Sequence, residues 1–137
     1  MVKLVLDCGH SCVGILSVED GGFRVFGLGQ EMAEAVKQIQ AADEIITYNG
    51  KNFDLPLLAK FMNLSGTLPI NGVHSDMRTI RWSDEIWGSN LISTYREYFP
   101  SLPTVPDTYE GSIEQDCLMA LGLWKLWKAG QLRGAAS

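Results

Sequence analysis

Two hydrophobic periods run along the chain, one of two residues and one of about 3.6. Residues 2–7 (Val-Lys-Leu-Val-Leu-Asp) read as a central strand, apolar and β-branched, closed by a carboxylate. Residues 12–18 (Cys-Val-Gly-Ile-Leu-Ser-Val) predict a second strand. Glu19-Asp20-Gly21-Gly22 supplies the positive-φ residues that a tight turn needs, and residues 23–26 return as a third. Three strands joined this way predict an antiparallel meander. Beyond Gly27 and Gly29 the period lengthens. Met32, Ala35, Val36 and Ile39 fall on one helical face, with Glu31, Glu34, Lys37 and Gln38 on the other. Residues 44–48 then predict a short buried strand, parallel to a neighbour because a helix separates the two.

A second helix is expected from about residue 55 to 64, with Pro56 tolerated in its first turn and Leu57, Leu58, Phe61 and Met62 as its apolar face. Val73 and His74 predict a fifth strand, and Asp76 an N-cap for a short helix through Ile80 and Trp82. Gly88 interrupts, and Asn90 restarts a helix through Leu91, Ile92, Tyr95 and Phe99 that Pro100 stops. Residues 100–111 read as irregular. A long helix is predicted over 112–129, with Ile113, Met119, Ala120, Leu123, Trp124 and Trp127 as its stripe. The expectation is an α/β fold with a mixed five-stranded sheet, a single domain over 1–130 and a flexible tail over 131–137.

Composition narrows the class. A chain of 137 residues, 46% hydrophobic with four tryptophans, supports one well-filled core. No run of about 20 apolar residues spans a bilayer, and Asp7 interrupts the apolar start where a secretory signal would continue. A cytoplasmic protein is the expectation. The net charge of −5 argues against a wide phosphate-binding face and for short substrates, bound cations or a partner that supplies the grip. Three cysteines exclude a complete disulfide framework. Cys8, His10 and Cys12 lack the spacing of a redox pair or zinc ribbon, so reduced structural thiols are expected, with a zinc or redox site as the rival.

Three acids carry the candidate chemistry. Asp7 ends the first strand, Asp54 opens the second helix and Asp116 lies early in the last. Phosphodiester cleavage by two metals about 4 Å apart needs carboxylates converging from separate rigid elements. Each acid has a plainer role open to it. Asp54 can cap its helix, Asp116 can face solvent, and Asp7 can bind amides of the following turn.

The stretch Asn49-Gly50-Lys51-Asn52-Phe53-Asp54 resembles the second motif, Asn-x-x-x-Phe-Asp, of the DnaQ-like (DEDD) 3′–5′ exonucleases, which have an RNase H-like fold. The element order matches that fold over nearly the whole chain, while the sharp motif evidence sits in about six residues. The resemblance implies metal-dependent removal of 3′-terminal nucleotides from DNA or RNA with Mg²⁺ or Mn²⁺. It also implies metal ligation by Asp7, Asp54 and Asp116. Asn49 could touch a terminal nucleotide or only orient the turn, Phe53 could stack on a base or belong to the core, and His10 is a further candidate for substrate contact. Two departures stand out. Gly9 occupies the place of the glutamate in the first motif, Asp-x-Glu. Ser112 and Gly111 stand four and five residues before Asp116, where the family carries Tyr or His. His10, Glu110 or Glu114 are the candidates to substitute; Glu19 lies too far along the hairpin. Lys51, Arg78, Arg81 and Arg96 could contact phosphates or simply face solvent. The rival reading is a module that binds nucleic acid or a protein partner without cleaving.

Overall fold

Strand β1 (Lys3–Cys8) turns Leu4, Leu6 and Cys8 to one face and Val5 and Asp7 to the other, the alternation a pleated strand imposes. Both apolar sets are buried, so β1 needs cover on both sides and lies at the centre of the sheet. The structure, a computed structural model, describes residues 1–83 and 88–133. Strands β2 (Cys12–Ser17) and β3 (Phe23–Gly27) complete the antiparallel meander, with Asp7 opposite Gly14 and Val13 opposite Phe26.

Helix α1 (Gln30–Ala41) buries Met32, Ala35, Val36 and Ile39 and leads to β4 (Glu44–Thr47), which lies parallel to β1. Helix α2 (Asp54–Phe61) follows, then β5 (Val73–Asp76), parallel to β4. The remaining elements are α3 (Met77–Trp82), α4 (Leu91–Arg96) and α5 (Tyr109–Lys128). Strand order is β3-β2-β1-β4-β5. One core lies between this sheet and α1 and α2. The other joins Val5, Leu16 and Ile46 to Met77, Tyr95 and the α5 stripe. This is the mixed five-stranded α/β arrangement expected of the RNase H-like fold.

The boundaries differ from expectation in several places, among them α4, which ends at Arg96 rather than running through Phe99 to Pro100. Helix α2 stops at Phe61 rather than Leu64, because Asn63 turns left-handed (φ 58°) and Leu64 N–H donates to Ala59 O at 2.8 Å. Helix α5 begins at Tyr109, three residues before Ser112, because Thr108 Oγ1 caps it by accepting Gly111 N–H at 2.9 Å. Of the expected tail, Leu132 is buried in the α5-side core and Arg133 N–H donates to Tyr98 Oη at 2.8 Å; residues 134–137 lie outside the described residues.

At the sheet end away from Asp7, the buried Glu44 ties three elements together. Its Oε2 accepts from Ser75 Oγ at 2.6 Å and from Trp124 Nε1 at 2.9 Å. Among the described residues, no helix is long and apolar enough to cross a membrane.

Candidate active site

The three acids foreseen in the sequence meet where β1 ends. Asp7 points to the α5 face, and its carboxyl is hydrogen-bonded to Asp116 on that helix. Asp116 reaches it because α5 packs along β1 and β2, with Cys117 Sγ 3.9 Å from Val5 O and 4.0 Å from Gly14 O. Asp54 arrives from the opposite layer. It is not the cap of α2: Phe53 holds that position, and Asp54 is the first helical residue, 2% exposed. Its Oδ1 accepts the Cys8 N–H at 3.2 Å, fastening the start of α2 to the end of β1.

This proximity is electrostatically unfavourable without a counter-charge. Burial, then the charges of Asp116 and Asp54 and the bond to Asp116, raise the Asp7 carboxyl far above the ordinary carboxylate range. Burial raises Asp116 too, with its hydrogen bond to Asp7 opposing. Two carboxyls this close and out of water disfavour both being charged at once. Burial likewise pushes Asp54 up to about 7, although the Cys8 amide and thiol bonds hold it lower than burial alone would.

A clamp fixes the turn that delivers Asp54. Asp76, 5% exposed, accepts Asn49 N–H (2.7 Å), Lys51 N–H (3.1 Å) and Arg78 N–H (3.1 Å). It is thus the expected cap of α3 and also the anchor of the 49–51 turn. Asn49 is left-handed (φ 68°), a conformation asparagine tolerates better than most residues. The buried Thr47 accepts Gly50 N–H at 3.0 Å and bonds His74 Nε2 at 2.8 Å. A side chain at Gly50 would overlap Thr47.

Phe53 is 53% exposed, which favours a contact surface over a core role. With His10, Leu28, Leu57, Lys60 and Phe61 it lines a groove of about 810 Å³ whose floor reaches Cys8 and Gly9. Asn49 instead borders a second hollow of about 390 Å³ with Tyr48, Arg78 and Ser89. His10 is exposed, and its backbone N–H donates to Tyr109 Oη at 2.8 Å. Glu110 is exposed on the first turn of α5 and Glu19 accepts from Lys3 N–H at 3.1 Å at the far sheet end, so neither joins the acids. Arg81 is engaged with Glu97 (3.0 Å) and lies outside the cleft. Cys8 and Cys12 are buried free thiols, and burial plus the nearby Asp54 charge raise the Cys8 thiol, opposing the thiolate a zinc or redox site requires.

Tyr109, Leu28 and the clamp role of Asp76 were not foreseen. A signal existed for Tyr109: it stands seven residues before Asp116, two helical turns, once Thr108 is recognised as the cap.

Three carboxylates make an all-oxygen donor set suited to a hard divalent cation, which commonly takes one or two carboxylates plus water and substrate phosphate. The Asp7–Asp116 pair fits that need. Among the described residues, no group of three or more His, Cys, Asp or Glu side chains lies together in a way that could hold a metal ion.

A family model for the RNase_H superfamily matches residues 7–93, beginning at Asp7 and ending within α4. The structure of the family B DNA polymerase from the hyperthermophilic archaeon Pyrobaculum calidifontis superposes with a TM-score of 0.63 at 18% identity. The superposition covers 93% of this chain but only 24% of that one, a likeness of fold. No curated protein sequence matches the chain.

Proposed function

The chain belongs to the RNase H superfamily, and from that premise we propose a divalent-metal-dependent 3′–5′ exonuclease of the DnaQ-like (DEDD) kind. It removes 3′-terminal nucleotides from single-stranded or frayed DNA or RNA. The observation that supports this most is the convergence of Asp7, Asp54 and Asp116 from a strand end and two opposed helical layers, beside an exposed aromatic groove. Bound Mg²⁺ or Mn²⁺ would supply a nucleophilic water and the charge that stabilises the leaving 3′ oxygen.

The chain's own residues do the rest. Asp7 and Asp116 would hold the cation from the strand end and from α5, and because burial holds both carboxyls above the ordinary range, its binding would tighten as pH rises. Asp54 adds charge from the α2 side while keeping its bond to the Cys8 amide. Asp76 holds the turn that sets where Asp54 sits. The groove receives the terminal nucleotide, with Phe53 as a stacking surface and Lys60 at its edge for phosphate. A net charge of −5 suits a grip confined to a strand end.

A second reading, binding without cleavage, is favoured by one observation: position 9, two residues beyond Asp7, is a glycine and supplies no carboxylate. The two readings separate in a nuclease assay on 3′- and 5′-labelled single-stranded DNA and RNA with Mg²⁺, Mn²⁺ or EDTA. Shortening from the 3′ end that needs metal and disappears in Asp54→Ala supports the exonuclease. Intact strands in millimolar Mn²⁺, with retention of the oligonucleotide by wild type and Asp54→Ala alike, support the binding module.

A further inference from the structure

The turn that delivers Asp54 presents three consecutive backbone N–H groups, and each has a side-chain acceptor. Asp76 takes those of Asn49 and Lys51, while Thr47 takes that of Gly50 at 3.0 Å. The Gly50 peptide passes the hold on. Its carbonyl accepts the Leu55 N–H at 2.9 Å, beside Asp54 in the first turn of α2. Thr47 and Gly50 are both buried, so neither has water to fall back on.

The Thr47 hydroxyl has one proton and two lone pairs. The Gly50 N–H takes a lone pair. The proton needs an acceptor of its own, because a buried hydroxyl left without one is costly. His74 Nε2 stands 2.8 Å from Thr47 Oγ1. Only an unprotonated Nε2 can accept, which puts the ring proton on Nδ1. An imidazolium would present an N–H to the same oxygen and turn the acceptor into a second donor. The surroundings favour the neutral ring. Burial lowers the His74 imidazole from its ordinary value of 6.5; Asp76, on the same strand, opposes this and Lys51, in the turn, adds to it. The charged groups of α2, the layer over this face, are engaged elsewhere, Asp54 on the Cys8 amide and Lys60 at the groove beside Phe53. Glu44 of β4 bonds Ser75 and Trp124 on the other face, and of α3 Arg81 pairs with Glu97 while Arg78 borders the hollow beside Tyr48.

We propose that His74 is a positioning residue for Asp54: as a neutral acceptor at Nε2 it holds the Thr47 hydroxyl on the Gly50 amide, and its protonation releases the middle of the turn. The chain of hydrogen bonds stands on its own distances; its consequence for cleavage rests on the function proposed above. The bridge is intact near neutral pH and is lost as pH falls below 6.5, through the lower value of the folded state.

The test uses the full chain, ¹⁵N-labelled, in EDTA. Long-range proton–nitrogen NMR spectra near neutral pH read the tautomer, with His74 assigned as the ring signal that His74→Gln removes. Nε2 is expected to be the unprotonated nitrogen. Amide hydrogen exchange then reads the turn. The Gly50 protection factor should fall on the order of fivefold in His74→Leu, the loss of about one net hydrogen bond, and should fall likewise in wild type as the ring is protonated. His74→Gln keeps a side-chain acceptor without a titrating ring, so its protection should match neutral wild type and stay flat with pH. Thr47→Ser should keep the protection and Thr47→Val should lose it. The tautomer and the pH dependence of wild type need no variant. A proton on Nε2, or equal Gly50 protection in His74→Leu and wild type, overturns the role of His74 whatever the nuclease assay gives. Where protection falls and wild type shortens 3′ ends, kcat should drop in His74→Leu and return in His74→Gln; an unchanged kcat overturns the positioning of Asp54 and leaves the exonuclease reading intact. Where protection falls and wild type leaves strands intact in millimolar Mn²⁺, the exonuclease reading fails and the hold of His74 on the turn stands.

Discussion

Replacing Asp54 with asparagine should stabilise the metal-free protein. The side chain is 2% exposed and its folded pKa is about 7, against an ordinary value of 3.8. The fold therefore favours the protonated form. Stability is fully present below pH 4 and is lost as pH climbs through the window from about 4 to about 7. At pH 8 the folded protein carries the whole penalty of the buried charge. A displacement of about three pH units, at about 1.4 kcal/mol each, sets an upper bound of about 4 kcal/mol. Water entry and side-chain rotation absorb part of this, so about 2 kcal/mol is expected, or about 6 °C in Tm for a chain of this length. Asparagine keeps an Oδ1 for the Cys8 N–H and turns its amide toward the other two acids, so no new buried group is orphaned. The assay is urea denaturation of both proteins in EDTA at pH 8 and pH 4. A variant less stable than wild type at pH 8, or equally stabilised at pH 4, refutes the view that Asp54 is a destabilising charge kept for its chemistry.

Three further outcomes follow from the geometry. Asp76→Ala removes the acceptor for three amides and should lose about 3 kcal/mol in urea denaturation, with weaker Mn²⁺ binding by calorimetry because the turn before Asp54 loosens. Trp124→Phe leaves Glu44 with the Ser75 hydroxyl alone and should lower stability by about 1–2 kcal/mol, while Mn²⁺ affinity stays unchanged because that network lies at the far end of the sheet. Phe53→Ala, at an exposed position, should leave Tm within about 2 °C of wild type. The same variant should weaken single-stranded oligonucleotide binding by about 1–3 kcal/mol in fluorescence anisotropy with Ca²⁺ present; equal affinity would remove Phe53 from the substrate surface.

The sheet was readable because its strands are short apolar runs set off by turn residues, and because the helix between β1 and β4 forces the parallel pairing. Asp7, Asp54 and Asp116 were readable from their places at element ends and from the Asn49–Asp54 spacing. Capping was where local reading failed. Thr108 starts α5 three residues before the apolar stripe makes it visible, and that shift brings Tyr109 onto the helix. Asp54 looked like a cap in sequence, yet its carboxylate is spent on an amide 46 residues away, a partner no local pattern can name. The clamp by Asp76 was hidden for the same reason: its bonds to Asn49 and Lys51 cross from β5 to the β4–α2 turn.

The cover that α5 gives to β1 has a consequence for how the molecule is made. Contacts such as Cys117 with Val5 span 112 residues, so during synthesis one face of β1 stays bare until α5 leaves the ribosome. The α1 and α2 layer can already have docked by then. Asp7 acquires its acidic neighbour on α5 only when that helix lands, and the mutual repulsion is concentrated in the final docking step. A nascent chain ending at α4 would hold a half-clad sheet with nothing to hold a cation strongly. Low pH or a divalent ion would each speed closure by relieving the same repulsion, which makes the closing helix the natural point for a chaperone to act.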